Sequence, residues 1–82
     1  MTKDDGKPRV MVTVQLFAAA REAVGASTVS VGPGTLAEIV AGFESPVVDK
    51  CSFLVNGIAE EDRSRLLVDG DTLDVLPPFA GG

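Results

Sequence analysis

The stretch RVMVTVQLF, residues 9–17, alternates between two kinds of side chain. One face is wholly apolar and consists of Val10, Val12, Val14 and Leu16. The other face is mixed and consists of Arg9, Met11, Thr13, Gln15 and Phe17. A period of two residues is typical of a β-strand with one face in the core and one face in solvent. The sequence therefore predicts a half-buried strand whose valines point inward.

The stretch TLAEIVAGF, residues 35–43, has the period of a helix. Thr35 and Glu38 have the spacing of a capping box, in which each side chain accepts a hydrogen bond from the other residue's backbone N–H. The apolar residues recur at i, i+3, i+4 and i+7, which is one helix face: they are Leu36, Ile39, Val40 and Phe43. This face predicts a helix that packs on the strand at 9–17.

Shorter signals fill the rest of the chain. AAAREAVG at 18–25 predicts one or two helical turns, and STVSV at 27–31 predicts a second strand, antiparallel to the first, with Val29 and Val31 inward. CSFLVNG at 51–57 predicts a third strand that ends in an Asn-Gly turn. AEEDRSRL at 59–66 is polar and irregular, and a short edge strand with a turn is the structured alternative. An Asp-Gly turn then precedes a last strand at 72–76.

Together these elements predict an α+β fold in one domain, residues 9–78. One main helix covers one face of a mixed sheet of four or five strands, and the first and last strands are neighbours at its centre. The predicted core residues share the inward positions of these elements: Val10, Val12, Val14, Leu16, Leu36, Ile39, Val40, Phe43, Leu73 and Val75.

Composition narrows the possible chemistry. The chain has 82 residues, no histidine, one cysteine and a formal net charge of −5. These features exclude an internal disulfide and argue against nucleic acid or an anionic membrane as partner, and we expect neither a metal nor a cofactor. The opening MTKDDGKP lacks the apolar segment of a signal peptide and predicts a disordered lead at residues 1–8. We expect a cytoplasmic protein with a basic partner surface.

The stretch VLPPFAGG, residues 75–82, places two prolines directly after the last strand. Proline fixes φ, so Pro77 and Pro78 would send the tail in one direction. Phe79 and Ala80 are apolar, and glycine lets the backbone at Gly81 and Gly82 approach another molecule closely. The alternative is a frayed chain end. We expect a flexible tail at 79–82.

This tail, with LFAAARE after the first strand and DGD before the last, resembles the small subunit of molybdopterin synthase, in the ThiS/MoaD family of ubiquitin-like sulfur carriers. The resemblance covers residues 9–82 and implies a β-grasp fold. Two segments depart from the family pattern: ESPVVDK is short, and AEEDRSR is unusually acidic.

The resemblance also implies a function and partners. A ubiquitin-activating-like enzyme with ATP would adenylate the Gly82 carboxylate, and a persulfide donor would convert it to a thiocarboxylate. This group would donate sulfur to cyclic pyranopterin monophosphate in the large synthase subunit, which holds the catalytic side chains of a heterotetramer. Gly81 and Gly82 are then the reactive end of the chain.

Partner binding is expected beside the tail. If the first and last strands are parallel neighbours, Phe17 and Leu76 end at the same edge of the sheet on its outward face. With Phe79 they predict an apolar docking surface, to which Pro77, Pro78 and Ala80 connect the tail. Isolated exposed apolar residues are the alternative.

Three other functions remain open. The chain could carry sulfur for thiamin or cysteine synthesis, although those relatives usually lack the two prolines. It could be a protein modifier that forms isopeptide bonds through Gly82, or an interaction module without tail chemistry. Fold alone does not separate these functions.

The remaining polar residues have simpler interpretations. Cys51 could hold a persulfide, but a small buried side chain fits better because only Lys50 supplies a nearby charge. Arg21 and Glu22 are either a partner contact or a solvated helix end. The acidic residues Glu60, Glu61 and Asp62 fit a charged sheet edge better than a metal site. Asp69 and Asp71 are predicted turn residues.

Overall fold

The computed structural model describes residues 11–77. The predictions for residues 1–10 and 78–82, including the burial of Val10, lie outside this range. No helix within it is long and apolar enough to cross a membrane. The elements follow in the order β1 (Val12–Leu16), α1 (Ala18–Val24), β2 (Thr28–Val31), β3 (Gly34–Thr35), α2 (Leu36–Gly42), α3 (Pro46–Asp49), β4 (Ser52–Val55), β5 (Ile58–Ala59), β6 (Leu66–Leu67) and β7 (Thr72–Leu76).

Five strands form a mixed sheet in the order β2-β1-β7-β4-β5. The central strands β1 and β7 are parallel, with Leu16 opposite Val75, as predicted for the first and last strands. The outer strands pair antiparallel, β2 with β1 and β4 with both β7 and β5. Asn56 and Gly57 join β4 to β5 with positive φ angles of 53° and 85°, which suits an Asn-Gly hairpin turn.

Helix α2 begins at the predicted capping box. The Thr35 side chain accepts a hydrogen bond from the Glu38 N–H (3.1 Å), and Glu38 Oε1 accepts one from the Thr35 N–H (2.9 Å). Leu36, Ile39 and Val40 are buried against the sheet, as predicted. Phe43 is only partly buried, because the helix ends at Gly42 and Phe43 lies at the margin of the core.

Two elements go beyond those predicted from the sequence, a third helix and strand β6. Residues Pro46–Asp49 form a short helix, in which the Ser45 side chain accepts from the Val48 N–H and Val48 is fully buried. Strand β6 pairs with β3 in a separate two-stranded sheet, and this pairing buries Leu67 completely. These elements close the core at the side of α2.

The core lies between the sheet and the helices. Fully burying one leucine or valine side chain stabilises a fold by roughly 1.5–3 kcal/mol, so this cluster is the main source of stability. Its buried members are Val12, Val14, Leu16, Ala20, Leu36, Ile39, Val40, Val48, Cys51, Phe53, Val55, Leu67, Leu73 and Val75.

Candidate docking surface and tail exit

The central strands bring Phe17 and Leu76 to the same edge of the sheet. Because β1 and β7 are parallel and Leu16 faces Val75, the next pair along the strands is Phe17 and Leu76. The Phe17 N–H donates to the Val75 carbonyl (3.2 Å), which holds the two strand ends together. Phe17 is 39% exposed and Leu76 is half-buried. Both alternate with buried residues and therefore lie on the sheet face that turns away from α2.

A sharp change of direction fixes Phe17 at this edge. Phe17 has extended backbone angles, whereas Ala18 has a φ of 49°, in the left-handed region that alanine rarely adopts. The Phe17 carbonyl accepts from the Ala20 N–H (3.0 Å), so α1 starts immediately. The turn leaves the Phe17 ring on the outward face, where it is 39% exposed.

The tail leaves the sheet beside this pair. Pro77 follows β7 and is buried, and its missing N–H ends the hydrogen-bond ladder. Phe17, Leu76 and Pro77 are therefore together at one edge. The other predicted site residues lie outside the described range: Pro78, Phe79, Ala80, Gly81 and Gly82.

The outward face also holds a carboxylate that was not predicted from the sequence as a site residue. Asp74 lies at the middle of β7, with Gln15 opposite it on β1 and Leu54 opposite it on β4. Its Oδ1 atom is buried and accepts no hydrogen bond from any residue in the range 11–77. The sequence signal that could have identified Asp74 was its position as a charged residue between the inward-facing Leu73 and Val75 of a central strand.

Cys51 is a core residue, as the simpler interpretation predicts. Its side chain is 7% exposed, and the thiol donates to the Val47 carbonyl (3.2 Å). Burial raises the pKa of the Cys51 thiol, which disfavours the reactive thiolate. The geometry therefore argues against a persulfide at this position.

The other acidic residues are used in local structure. Glu60 forms an ion pair with Arg65 (2.8 Å), and hydrogen bonds from the Ser64 side chain and backbone lower the pKa of Asp62. Asp69 accepts from the Met11 N–H (2.9 Å). Across residues 11–77 we find no cluster of three or more His, Cys, Asp or Glu side chains suited to a metal ion.

Asp71 joins the last turn to the β4–β5 hairpin. One carboxylate oxygen accepts from the Asn56 side chain (3.0 Å) and the other from the Val68 N–H (2.9 Å). These bonds lower the pKa of Asp71. Asp69 and Asp71 are thus turn residues, as predicted, while Arg21 and Glu22 are exposed on α1.

Several solved structures share this fold, and three of them illustrate the similarity. Small archaeal modifier protein 1 from Haloferax volcanii is 26% identical, with 88% of this chain and 99% of that chain covered and a TM-score of 0.66. A putative molybdopterin converting factor subunit 1 from Pyrococcus furiosus is 21% identical over 85% and 99%, with a TM-score of 0.71. A complex of subunits 1 and 2 of the molybdopterin-converting factor from Helicobacter pylori includes a chain that is 22% identical over 88% and 99%, with a TM-score of 0.65.

The two structures below 25% identity establish the ubiquitin-like β-grasp fold alone. Comparison with curated protein sequences found no significant match. The family model described as the ThiS family matches residues 14–82. This range is most of the sequence and includes Pro77, Pro78, Gly81 and Gly82. The chain therefore belongs to the ThiS family.

Proposed function

We propose that this chain is the sulfur-carrier small subunit of molybdopterin synthase, with the sulfur held as a thiocarboxylate on Gly82. The observation that carries the proposal is the family match through residue 82, which includes Pro77, Pro78, Gly81 and Gly82. The parallel arrangement of β1 and β7 supports it, because this arrangement starts the tail beside the exposed Phe17.

The chemistry suits such a tail. A carboxylate is a poor electrophile, so one Gly82 oxygen first attacks the α-phosphate of ATP and displaces pyrophosphate. A persulfide from a sulfurtransferase then attacks the acyl carbon and displaces AMP. Reduction of the resulting S–S bond by a thiol leaves the thiocarboxylate. Glycine at 81 and 82 lets the chain enter a narrow active site, and four extended residues beyond Pro78 reach roughly 13 Å.

Two partners follow from the proposal. A ubiquitin-activating-like adenylyltransferase supplies the ATP site, and a large synthase subunit supplies the catalytic side chains and the pterin site in a heterotetramer. The Helicobacter pylori neighbour is a complex of subunits 1 and 2 of the molybdopterin-converting factor, which supports a large-subunit partner. We propose that Phe17, Leu76 and Phe79 form the docking surface, with Pro77, Pro78 and Ala80 leading into the partner.

The test is sulfur loading of the chain terminus. We incubate the chain with the adenylyltransferase, ATP and a persulfide donor, then measure the intact mass. The expected product is heavier by one oxygen-to-sulfur exchange. Deleting Gly82, or adding one residue after it, is expected to abolish this product without changing the fold, and Gly81→Val is expected to act similarly through bulk and lost φ freedom. Sulfur loading of a chain extended past Gly82 would contradict the assignment.

Protein modification is the second candidate, because a small archaeal modifier protein is among the structural neighbours at 26% identity. In that case the activated Gly82 carboxylate would form an isopeptide bond with a lysine. Mass spectrometry of conjugates from the native host separates the two functions. Sulfur acceptance in the reconstituted thiamin or cysteine pathway would support another carrier role, and an unmodified mass alone would indicate an interaction module.

A further inference from the structure

Asp74 is the one charged side chain among the residues that form the outward face of the five-stranded sheet in the described part of the chain. Its lateral neighbours are Gln15 and Leu54, and Leu76 follows it on the same face. The other outward residues of the paired strands are uncharged: Thr13, Gln15, Thr28, Ser30, Ser52, Leu54, Ala59, Thr72 and Leu76. Among the strand residues of this face, a single carboxylate therefore lies at the centre.

The position of this carboxylate is unfavourable in the free chain. Asp74 Oδ1 is buried but receives no hydrogen bond from residues 11–77. The amide of Gln15 lies on the adjacent strand in register, yet it does not donate to this oxygen. Buried polar atoms normally have a partner, and a buried carboxylate oxygen without one reduces stability. A central strand position would favour a β-branched or aromatic side chain instead.

Covering this face makes the hydrogen-bond requirement stronger. A protein that packs on the sheet removes solvent from the rest of the Asp74 carboxylate. If that protein places apolar atoms over Asp74, the charge is buried without a partner and opposes binding. If it places a cation there, a charge-assisted hydrogen bond forms in a site shielded from water. If Asp74 strengthens binding, a cation lies opposite it, and if Asp74 weakens binding, apolar atoms do.

We propose that the outward face around Asp74 docks on the large synthase subunit and that Asp74 accepts hydrogen bonds from an arginine of that partner. This inference rests on the proposed function and adds a specificity-determining residue to it. The surface is continuous with Phe17 and Leu76, because Leu76 lies two residues beyond Asp74 on β7. Arginine fits best because its guanidinium group stays charged when it is shielded from water and can donate to the exposed part of the Asp74 carboxylate. The chain's net charge of −5 favours the same partner chemistry.

The test is calorimetric titration of the purified large subunit with four forms of the full chain: wild type, Asp74→Ala, Asp74→Asn and Glu44→Gln. Glu44 is an exposed carboxylate just beyond α2, on the opposite side of the sheet, and serves as the matched charge control. Loss of a desolvated charge pair commonly weakens binding by thirtyfold or more. We expect this loss for both Asp74 variants and less than a threefold change for Glu44→Gln. Melting curves should show the Asp74 variants at least as stable as wild type.

A double-mutant cycle identifies the partner residue. Each exposed arginine of the large subunit is replaced by alanine, and one replacement is expected to couple with Asp74→Ala but not with Glu44→Gln. Tighter or unchanged binding of Asp74→Ala, or the absence of a coupled arginine, would overturn the inference while the proposed function stands. If wild type accepts no sulfur and binds no large subunit, the proposed function fails and the inference falls with it.

Discussion

Asp74 should have opposite effects on the free chain and on the complex. In the free chain its buried Oδ1 lacks a donor among residues 11–77, and an unsatisfied buried acceptor costs about 1–3 kcal/mol. The residue lies in a central strand, where threonine is a better strand former than aspartate. Natural proteins often retain such unfavourable residues where binding requires them.

Asp74→Thr is therefore expected to stabilise the isolated chain. Removing a buried oxygen that has no donor among residues 11–77 should raise the free energy of unfolding by about 1 kcal/mol. For a domain of this size, that gain corresponds to a melting temperature higher by roughly 4–8 °C. Urea denaturation at neutral pH measures the effect, with Thr72→Ser, an outward position on the same strand, as the control. A lower stability would show that the carboxylate has a donor in solution.

Phe79 is expected to contribute to partner binding and little to the fold. Phe17 and Leu76 are the described part of the proposed docking surface, and the proposal places Phe79 beside them. Truncating an aromatic anchor commonly costs about 2 kcal/mol or more. Phe79→Ala should thus weaken binding to the large subunit by roughly thirtyfold or more, since about 1.4 kcal/mol is a factor of ten.

Calorimetric titration and melting curves together test the role of Phe79. Ile58→Ala is a suitable control, because Ile58 is 71% exposed on the edge strand β5, away from the end of β7. Unchanged affinity for Phe79→Ala would remove the ring from the interface. A large fall in melting temperature would mean that Phe79 packs in the fold.

Asp71 is expected to link stability to pH. Hydrogen bonds from the Asn56 side chain and the Val68 N–H lower its pKa in the folded state. The unfolded value is about 3.9, so the ionised group stabilises the fold above this pH and the contribution disappears as the pH falls through the lower folded pKa. Asp71→Asn should therefore lose less stability than wild type between about pH 5 and pH 2. Melting curves across that range provide the measurement, and parallel profiles for the two proteins would contradict it.

The stability of helix α2 depends on its capping box. The two reciprocal bonds of Thr35 and Glu38 satisfy backbone N–H groups that otherwise lack a partner in the first turn. Thr35→Ala removes the hydroxyl and is expected to destabilise the protein by about 1 kcal/mol. Thr35→Ser keeps the hydroxyl and should retain most of the stability. Equal losses for both variants in urea denaturation would assign the effect to the strand pairing of Thr35 instead.

The elements that the sequence predicts best are those with long periodic signals. Strand β1 and helix α2 each repeat their pattern over several residues, and both appear close to the expected bounds. Helix α3 and strands β3 and β6 have two to four residues each, too few for a period. Their apolar residues Val48 and Leu67 become buried only when distant segments meet, so tertiary contacts determine these elements.

The candidate site also has one part that the sequence predicts and one part that tertiary contacts determine. Alternation places Phe17 and Leu76 outward, and the parallel pairing of β1 and β7 brings them together as predicted. The environment of Asp74 depends on which side chains lie beside it on β1 and β4, and the sequence does not specify this register. That Asp74 Oδ1 lacks a donor among residues 11–77 can be recognised only when the side chains around it have been placed.

The pairing of β1 with β7 determines how the fold resists mechanical force. Met11 precedes β1 and Pro77 follows β7, so in a parallel pair these residues lie at opposite ends. Tension applied between them runs along the strands and loads their hydrogen bonds in shear, all at once. Tension between Ser52 and Leu76, which face each other at one end of the antiparallel β4–β7 pair, would instead open the bonds one after another, like a zipper. Single-molecule stretching should thus need a higher force in the first geometry, and an unfolding machine that pulls on the tail would meet the sheet in its most resistant direction.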